Sequence, residues 1–169
     1  MEPLIRRIRA DESVPLRALR LQALADAPLA FGSTLAREEA FTDEIWRERA
    51  RHGAAGEDRV TFVAEAGDRW VGLATGIKEP SGDPPRARFA LVGMFVVPGA
   101  RGQGVGSALV ESVADWARER GAQRVYLSVT LTNWSAIRLY QRCGFRPTGN
   151  RQPLDHTPAV LEMEMVREV

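Results

Sequence analysis

Arg101-Gly102-Gln103-Gly104-Val105-Gly106 follows a run that reads as a strand, Phe89 to Val97, and opens one that reads as a helix, Ser107 to Arg120. Three glycines at alternate positions remove side chains where a ligand must come close to the main chain. A strand–turn–helix of this kind leaves the first N–H groups of the helix unpaired and aimed outward, at the positive end of the helix dipole. That is a site for a phosphate or pyrophosphate. Arg101 sets a planar, permanently charged guanidinium beside it. A turn that uses glycine only for positive φ has the same composition, so the stretch alone leaves both readings open.

Two other phosphate-binding patterns fail on detail. A P-loop needs Lys and then Ser or Thr after its last Gly. Here Gly106 is followed by Ser107 and Ala108, and Lys78 is the only lysine in the chain. A dinucleotide fingerprint needs G-x-G-x-x-G after a first strand and an acidic residue about 20 residues on. Here the glycines run G-x-G-x-G, the turn follows several strands, and the next strand ends Ser128-Val129-Thr130 without a carboxylate.

The 169 residues suffice for one domain with a sizeable core, expected to span 1–169. Hydrophobic residues make up 44% and charged residues 27%, as in ordinary soluble proteins. A net charge of +1 gives no overall field for nucleic acid or anionic membrane, so neither is expected as a partner. No apolar run approaches the roughly 20 residues of a membrane span. Met1-Glu2-Pro3-Leu4-Ile5-Arg6-Arg7 lacks the apolar stretch of a signal peptide, which makes a cytoplasmic location the expectation. Cys143 is the only cysteine, so neither an internal disulfide nor a thiolate metal cluster is expected, and no metal site is predicted.

Outward from the glycines, Leu4–Arg9 reads as a first strand and Asp11–Asp26 as a helix with Leu16, Leu19, Ala23 and Leu24 on one face. Pro28–Thr34 reads as a loop. Thr42 caps a second helix to Arg51, broken by Gly53–Asp58. Three strand-like runs follow: Val60–Ala66, Trp70–Lys78 and Ala87–Val97. Gly67-Asp68 joins the first two tightly, and Glu79–Pro85 is expected to be a mobile loop between the others. In the helix after the glycines, Val105, Leu109, Val113, Trp116 and Ala117 share a face, and Gly121 closes it. Val125–Val129 reads as a buried strand and Asn133–Arg142 as a short helix ended by Gly144. Phe145–Thr148 and Val160–Val166 are the last strands, with Pro153, His156 and Pro158 in a loop between them. An antiparallel meander preceding a glycine turn predicts an α+β single domain, not a doubly wound one.

The pattern resembles the GNAT superfamily of acetyl-coenzyme-A-dependent N-acetyltransferases. Arg101, Gly104 and Gly106 fit its cofactor motif, [Q/R]-x-x-G-x-[G/A], preceded by Met94-Phe95-Val96-Val97-Pro98 on the strand. About 30 residues on, Asn133, Ala136, Leu139, Tyr140, Gly144 and Phe145 fit N-x-x-A-x-x-L-Y-x-x-x-G-F. The element order matches nearly end to end. The resemblance implies a mixed, mostly antiparallel sheet of about seven strands with about four helices. It also implies acetyl transfer from acetyl-CoA, as cosubstrate, to a primary amine through a tetrahedral intermediate. A small molecule or amino acid is the expected acceptor. A protein N-terminus or lysine is the alternative, and a non-catalytic acyl-CoA-binding module the third reading. The resemblance leaves room for a homodimer.

By the same resemblance, the backbone from Arg101 through Gly102, Gln103, Gly104, Val105, Gly106 and Ser107 cradles the pyrophosphate. The backbone at Met94, Phe95 and Val96 pairs with the pantetheine arm, and an N–H there polarises the thioester carbonyl. Gly93 fits either a bulge that opens this edge or a close chain approach. Asn133 caps its helix and touches the cofactor arm. Tyr140 maps onto the general acid that protonates the departing thiolate. One departure bears on mechanism. Where several relatives carry a glutamate base, this chain has Ser128. Glu65, Glu79, Asp83 and His156 are the remaining candidates to support proton removal, directly or through water, with His156 best placed by its intrinsic pKa. Cys143 reads as a small core residue and His52 as solvated. Ala30–Thr34 is expected to border the acceptor, with Phe31 and Trp46 as a wall or as plain core.

Overall fold

The computed structural model describes residues 2–82 and 86–169. The chain runs β1 (Leu4–Arg7), α1 (Ser13–Asp26), α2 (Leu35–Glu39), α3 (Asp43–Ala55), β2 (Arg59–Ala66), β3 (Arg69–Ser81) and β4 (Arg86–Val96). A short 3₁₀ turn over Pro98–Ala100 leads to α4 (Val105–Glu119), β5 (Arg124–Thr130), α5 (Trp134–Arg142), β6 (Arg146–Leu154) and β7 (Thr157–Glu168). The strands form one sheet in the order β1-β2-β3-β4-β5-β7-β6. Among the described residues only β4 and β5 run parallel. This is the expected mixed, mostly antiparallel α+β architecture.

Alternation along the strands sends side chains to two helical layers. Val60, Ala64 and Ala74 face α4 and α5, where Val105, Leu109, Val113, Trp116, Ala117, Ile137 and Tyr140 are buried with them. Each fully buried Leu or Val in that stripe contributes roughly 1.5–3 kcal/mol. Gly76 lets α4 lie close, since a Cβ there would stand 2.8 Å from the Trp116 ring. On the other face, Leu19, Ala23 and Leu24 of α1 pack with Phe31, Leu73 and Phe95. Leu16 of α1 and Trp46 and Ala50 of α3 pack with Ile8 and Val63. The α1–α3 layer thus covers the sheet's second face beside β2 and β3.

Several boundaries differ from the sequence reading. A short helix, α2, lies just beyond the Pro28–Thr34 segment, capped by Thr34, whose side chain accepts from the Arg37 N–H. The α3 helix does not break at Gly53 but runs to Ala55, with Gly56 (φ 68°) as its left-handed cap. Gly53 is there for space: an added Cβ would lie 2.8 Å from Thr61 Oγ1. The expected Glu79–Pro85 loop is shortened, because β3 and β4 stay paired out to Ser81 and Arg86. Pro80 is tolerated there because β2 ends opposite Ile77, leaving that side of β3 without a neighbour. Asp83, Pro84 and Pro85 of that loop lie outside the described residues, as does Met1. The loop expected around Pro153, His156 and Pro158 is instead a tight β6–β7 hairpin. Pro153 can pair with Leu161 because β6 is the exposed edge of the sheet.

Candidate active site

The site begins where β4 and β5 part. They pair only at Phe89–Val125 and Ala90–Tyr126. Beyond Ala90 the β4 edge has no strand beside it, so its main-chain groups are open to an added extended ligand. A bulge widens the gap. Between the pairs Leu73–Phe95 and Thr75–Val92, β4 advances three residues while β3 advances two. Gly93 sits in the bulge at φ 61°. A Cβ at Gly93 would meet nothing closer than 3.6 Å, so backbone conformation, not crowding, requires glycine.

A groove of about 640 Å³ runs from this splay to the glycine turn. Met94, Phe95, Val96, Arg101, Gly102, Gly104, Gly106, Ser107, Asn133 and Tyr140 all line it. Gly102 (φ 75°) and Gly104 (φ 83°) are left-handed, each with open space where a Cβ would stand. Gly104 is the α4 N-cap and supplies no side-chain cap, so the first N–H groups of the helix lack an internal partner. Gly106 serves packing, since a Cβ would come within 2.9 Å of Leu139. Arg101 Nε donates to the Val96 carbonyl at 2.9 Å, and its guanidinium lies over Phe95. It therefore ties the turn to the strand as well as facing the groove. Gln103 and Val105 do not line the groove. Gln103 Nε2 donates to the Gly99 carbonyl, and Val105 is buried in the core.

The α5 helix closes the groove's other side. Asn133 Oδ1 accepts from the Ala136 N–H, so the capping role exists alongside its place in the lining. Tyr140 is buried edge-on against Phe145, and its hydroxyl has no protein hydrogen bond among the described residues. Burial, with a smaller contribution from Cys143, pushes its pKa well above the ordinary tyrosine value. It stays protonated throughout the neutral range and has a proton to give.

A second cavity, about 740 Å³, opens on the α1–α3 side of the same splay. Ala30, Phe31, Leu91, Val92, Gly93 and Ser128 line both. Phe31 and Trp46 border it and are core residues too, so the two readings of each hold together. Its floor holds Glu38, fully buried, which accepts from Arg20 Nε (3.0 Å) and Nη2 (2.9 Å) and from Arg49 Nη1 (2.8 Å). Burial alone would raise the Glu38 pKa. The hydrogen bond and charge of Arg20, helped by Ser33 and Arg49, outweigh it and hold the carboxyl at about 2.

The candidates for proton removal separate. Ser128 is exposed in the splay, and directly across the ladder from it stands Glu164 of β7. Glu164 also lines this second cavity. Burial acts to raise its pKa, but donation from Arg88, Thr148 and Asn150 prevails and lowers it. Glu79 lines the cavity as well. Glu65 is instead paired with Arg6 at 2.9 Å, away from both cavities. Asp83 lies outside the described residues. His156 lines neither cavity. Its Nε2 lies 2.7 Å from the Phe31 carbonyl, which can only accept, so Nε2 carries a proton and donates. Its Nδ1 meets Thr157 Oγ1 at 2.9 Å. His156 ties the β6–β7 hairpin to the α1–α2 loop. Arg20, Glu38, Arg49, Arg59, Arg88, Glu162 and Glu164 escaped the sequence reading. Only the β5–β7 register could have found Glu164, as the residue opposite Ser128. Among the described residues no group of three His, Cys, Asp or Glu is placed to hold a metal ion. No helix there is long and apolar enough to cross a membrane.

The family model described as "Acetyltransferase (GNAT) family" matches residues 21–145. The streptothricin acetyltransferase of Streptomyces lavendulae is 42% identical over 95 residues, 55% of this chain and 49% of that protein. The chain spans about half the length of the curated relatives it matches or less. Its fold is that of a GNAT-family acetyltransferase from Streptococcus pneumoniae, with TM-score 0.81 at 21% identity over 99% of this chain and 100% of that one. It is equally like a Salmonella typhimurium protein solved with its cofactor acetyl-CoA, with TM-score 0.80 at 18% identity over 99% and 94% of the two chains.

Proposed function

The chain belongs to the GNAT family of acetyltransferases, and we propose that residues 1–169 act as one domain that transfers acetyl from acetyl-CoA to a small primary amine. The observation that carries this reading is the meeting of two cavities in the β4–β5 splay, with six lining residues in common. One cavity has the features a pyrophosphate and an extended pantetheine arm require. It ends in a helix N-terminus without a side-chain cap and runs along an unpaired strand edge. The other is available to an acceptor arriving from the opposite face. The cosubstrate brings an activated thioester; the residues supply position, polarisation and protons.

In this reading the N–H groups from Gly102 to Ser107 hold the pyrophosphate, and Arg101 keeps that turn in register with Val96. The open edge at Met94, Phe95 and Val96 aligns the arm and presents an N–H to the carbonyl oxygen. Tyr140 donates its proton to the sulfur as it leaves. Asn133 fixes the start of α5 and so the place of Tyr140. The amine attacks directly, since Cys143 packs against the core and no acyl-cysteine step is needed. No carboxylate stands at position 128, and among the described residues Glu79 and Glu162 line the acceptor-side cavity without an ion pair. Glu164 is held by three donors and suits positioning a cation or a water better than removing a proton. A small acceptor is favoured over a protein because the His156–Phe31 and Thr130–Leu29 hydrogen bonds draw the α1–α2 loop against β5 and the β6–β7 hairpin.

Thiol release from acetyl-CoA across a library of amines and peptides tests the reading. Turnover with small amines and not with peptides is expected. Cofactor binding without turnover of any amine would leave a non-catalytic binding module instead.

A further inference from the structure

The acceptor-side cavity is charged far beyond what an amine alone would need. Six arginines and four glutamates line it among the described residues. Their pairing is uneven. Arg88 is bound to Glu164 on the β5–β7 side. Arg20 and Arg49 share the single carboxylate of Glu38, and both of its oxygens are occupied. Arg59, at the start of β2, has no acidic partner among the described residues. The residue is exposed as a whole, and its charge is disfavoured by desolvation and by repulsion from Arg49 and Arg20. Arg59 therefore adds a third guanidinium to a cavity in which Arg20 and Arg49 already saturate the one carboxylate at the α1–α3 end.

Other donors near that end also lack acceptors. Arg20 binds Glu38 through Nε and Nη2, which leaves Nη1 nearest the Gly93 bulge. Trp46 Nε1 is buried without a hydrogen-bond partner among the described residues, and Trp46 lines this cavity. Its N–H can donate. The β7 wall has the opposite sign, with Glu162 and Glu164 opposite Thr130 and Ser128. A ligand matching this pattern is negative at one end and positive at the other.

We propose that the acceptor is an amino acid or a close analogue, an amine bearing its own carboxylate, with that carboxylate bound by Arg59 beside Arg20 and its amino group drawn toward Ser128 and Glu164. The assignment rests on the acetyltransferase reading and narrows its substrate class. Arg59 acts here as a specificity residue, a bidentate donor that a neutral amine leaves unused. Since Glu38 is already saturated, an incoming carboxylate does not compete for its partners.

The test uses wild type, Arg59→Gln and Arg59→Lys with three matched sets: L-amino acids, their α-amides and their decarboxylated amines. Thiol release gives kcat and KM. The thermal midpoint of the coenzyme-A-saturated protein gives acceptor binding without turnover. Wild type should prefer at least one amino acid over its amide and amine by about 10²-fold in kcat/KM, the scale of one charge-assisted bidentate contact. Arg59→Gln should erase that preference by raising KM for the acid alone, with the amide unchanged, and Arg59→Lys should restore part of it. The midpoint should rise with that amino acid in wild type and not in Arg59→Gln. Equal use of acids, amides and amines overturns the assignment while leaving acetyl transfer intact. So does an Arg59→Gln loss common to all three sets, or acetyl-CoA binding with no amino acid either acetylated or raising the midpoint. Failure of acetyl-CoA to bind at all overturns the acetyltransferase reading instead, and the assignment with it.

Discussion

The groove at the glycine turn is made of main chain, and the cavity behind it is made of side chains. In the first, recognition falls to N–H groups and an open strand edge, and residue identity matters mainly where φ is positive, at Gly93, Gly102 and Gly104. In the second, Arg20, Glu38, Arg49, Arg59 and Glu164 come from α1, α2, α3, β2 and β7, and charge decides what fits. Backbone recognition forces a contiguous pattern, because the turn must be glycine at fixed spacing. Side-chain recognition leaves each element free to contribute one residue. The family model covers residues 21–145, which takes in the turn and the Asn133–Phe145 segment but leaves out β7 with Glu162 and Glu164.

The contrast breaks most visibly at Gly104. Gly104→Val places a β-branched residue at φ 83°, where space is open but the conformation is strained. Acetyl-CoA-dependent turnover should fall below detection, while circular dichroism shows an intact sheet. Retained activity would mean that the turn needs glycine for nothing.

On the other side, Glu38→Gln strands two guanidiniums. The Glu38 pKa is lowered from 4.5 to about 2 on folding. Its contribution is therefore full above about pH 4.5 and disappears as pH falls from there toward 2. That shift corresponds to about 3 kcal/mol. The variant should lose about that much in denaturant unfolding at pH 7 and show a flatter acid limb. An unchanged acid limb would remove Glu38 from the account of the cavity's stability.

Tyr140→Phe keeps the ring against Phe145 and removes only the hydroxyl. Turnover should drop about 10²-fold, the lower range for general acid catalysis. Affinity for acetyl-CoA should change little, and an unaltered chemical rate would retire Tyr140 as the acid. The smallest effect is expected at His156, whose ring binds loop to hairpin. His156→Ala should cost about 1 kcal/mol of stability, the scale of one hydrogen bond. It should leave the pH profile alone. In both proteins kcat/KM should rise with pH along the acceptor's own pKa. A fixed acidic limb near pH 6–7 that vanishes in His156→Ala would make it the base after all.

What could be read in the sequence follows the same division. The α4 stripe, the Thr42 and Asn133 caps, the Gly93 bulge and the seven strands come from local pattern, and the structure has them. Gly53 reads as a breaker in the sequence because close packing against Thr61 is a tertiary fact that uses the same residue type. Pro80 and Pro153 suggest loops because nothing local marks β6 and the end of β3 as edges, where a missing N–H costs little. Glu38 and its arginines are common residues on exposed-looking helices. Their convergence appears only once α1, α2 and α3 close over β2. His156 stood out by chemistry, but its neighbours give it a structural task.

Thermal denaturation of the wild-type chain with and without saturating acetyl-CoA tests the central claim most directly, that the β4–β5 splay and the glycine turn form an acyl-CoA site. A ligand at 100 times its Kd stabilises the native state by about 2.7 kcal/mol. For a chain of this size the midpoint should rise by roughly 5–10 °C. An unmoved midpoint at saturating acetyl-CoA would contradict the claim.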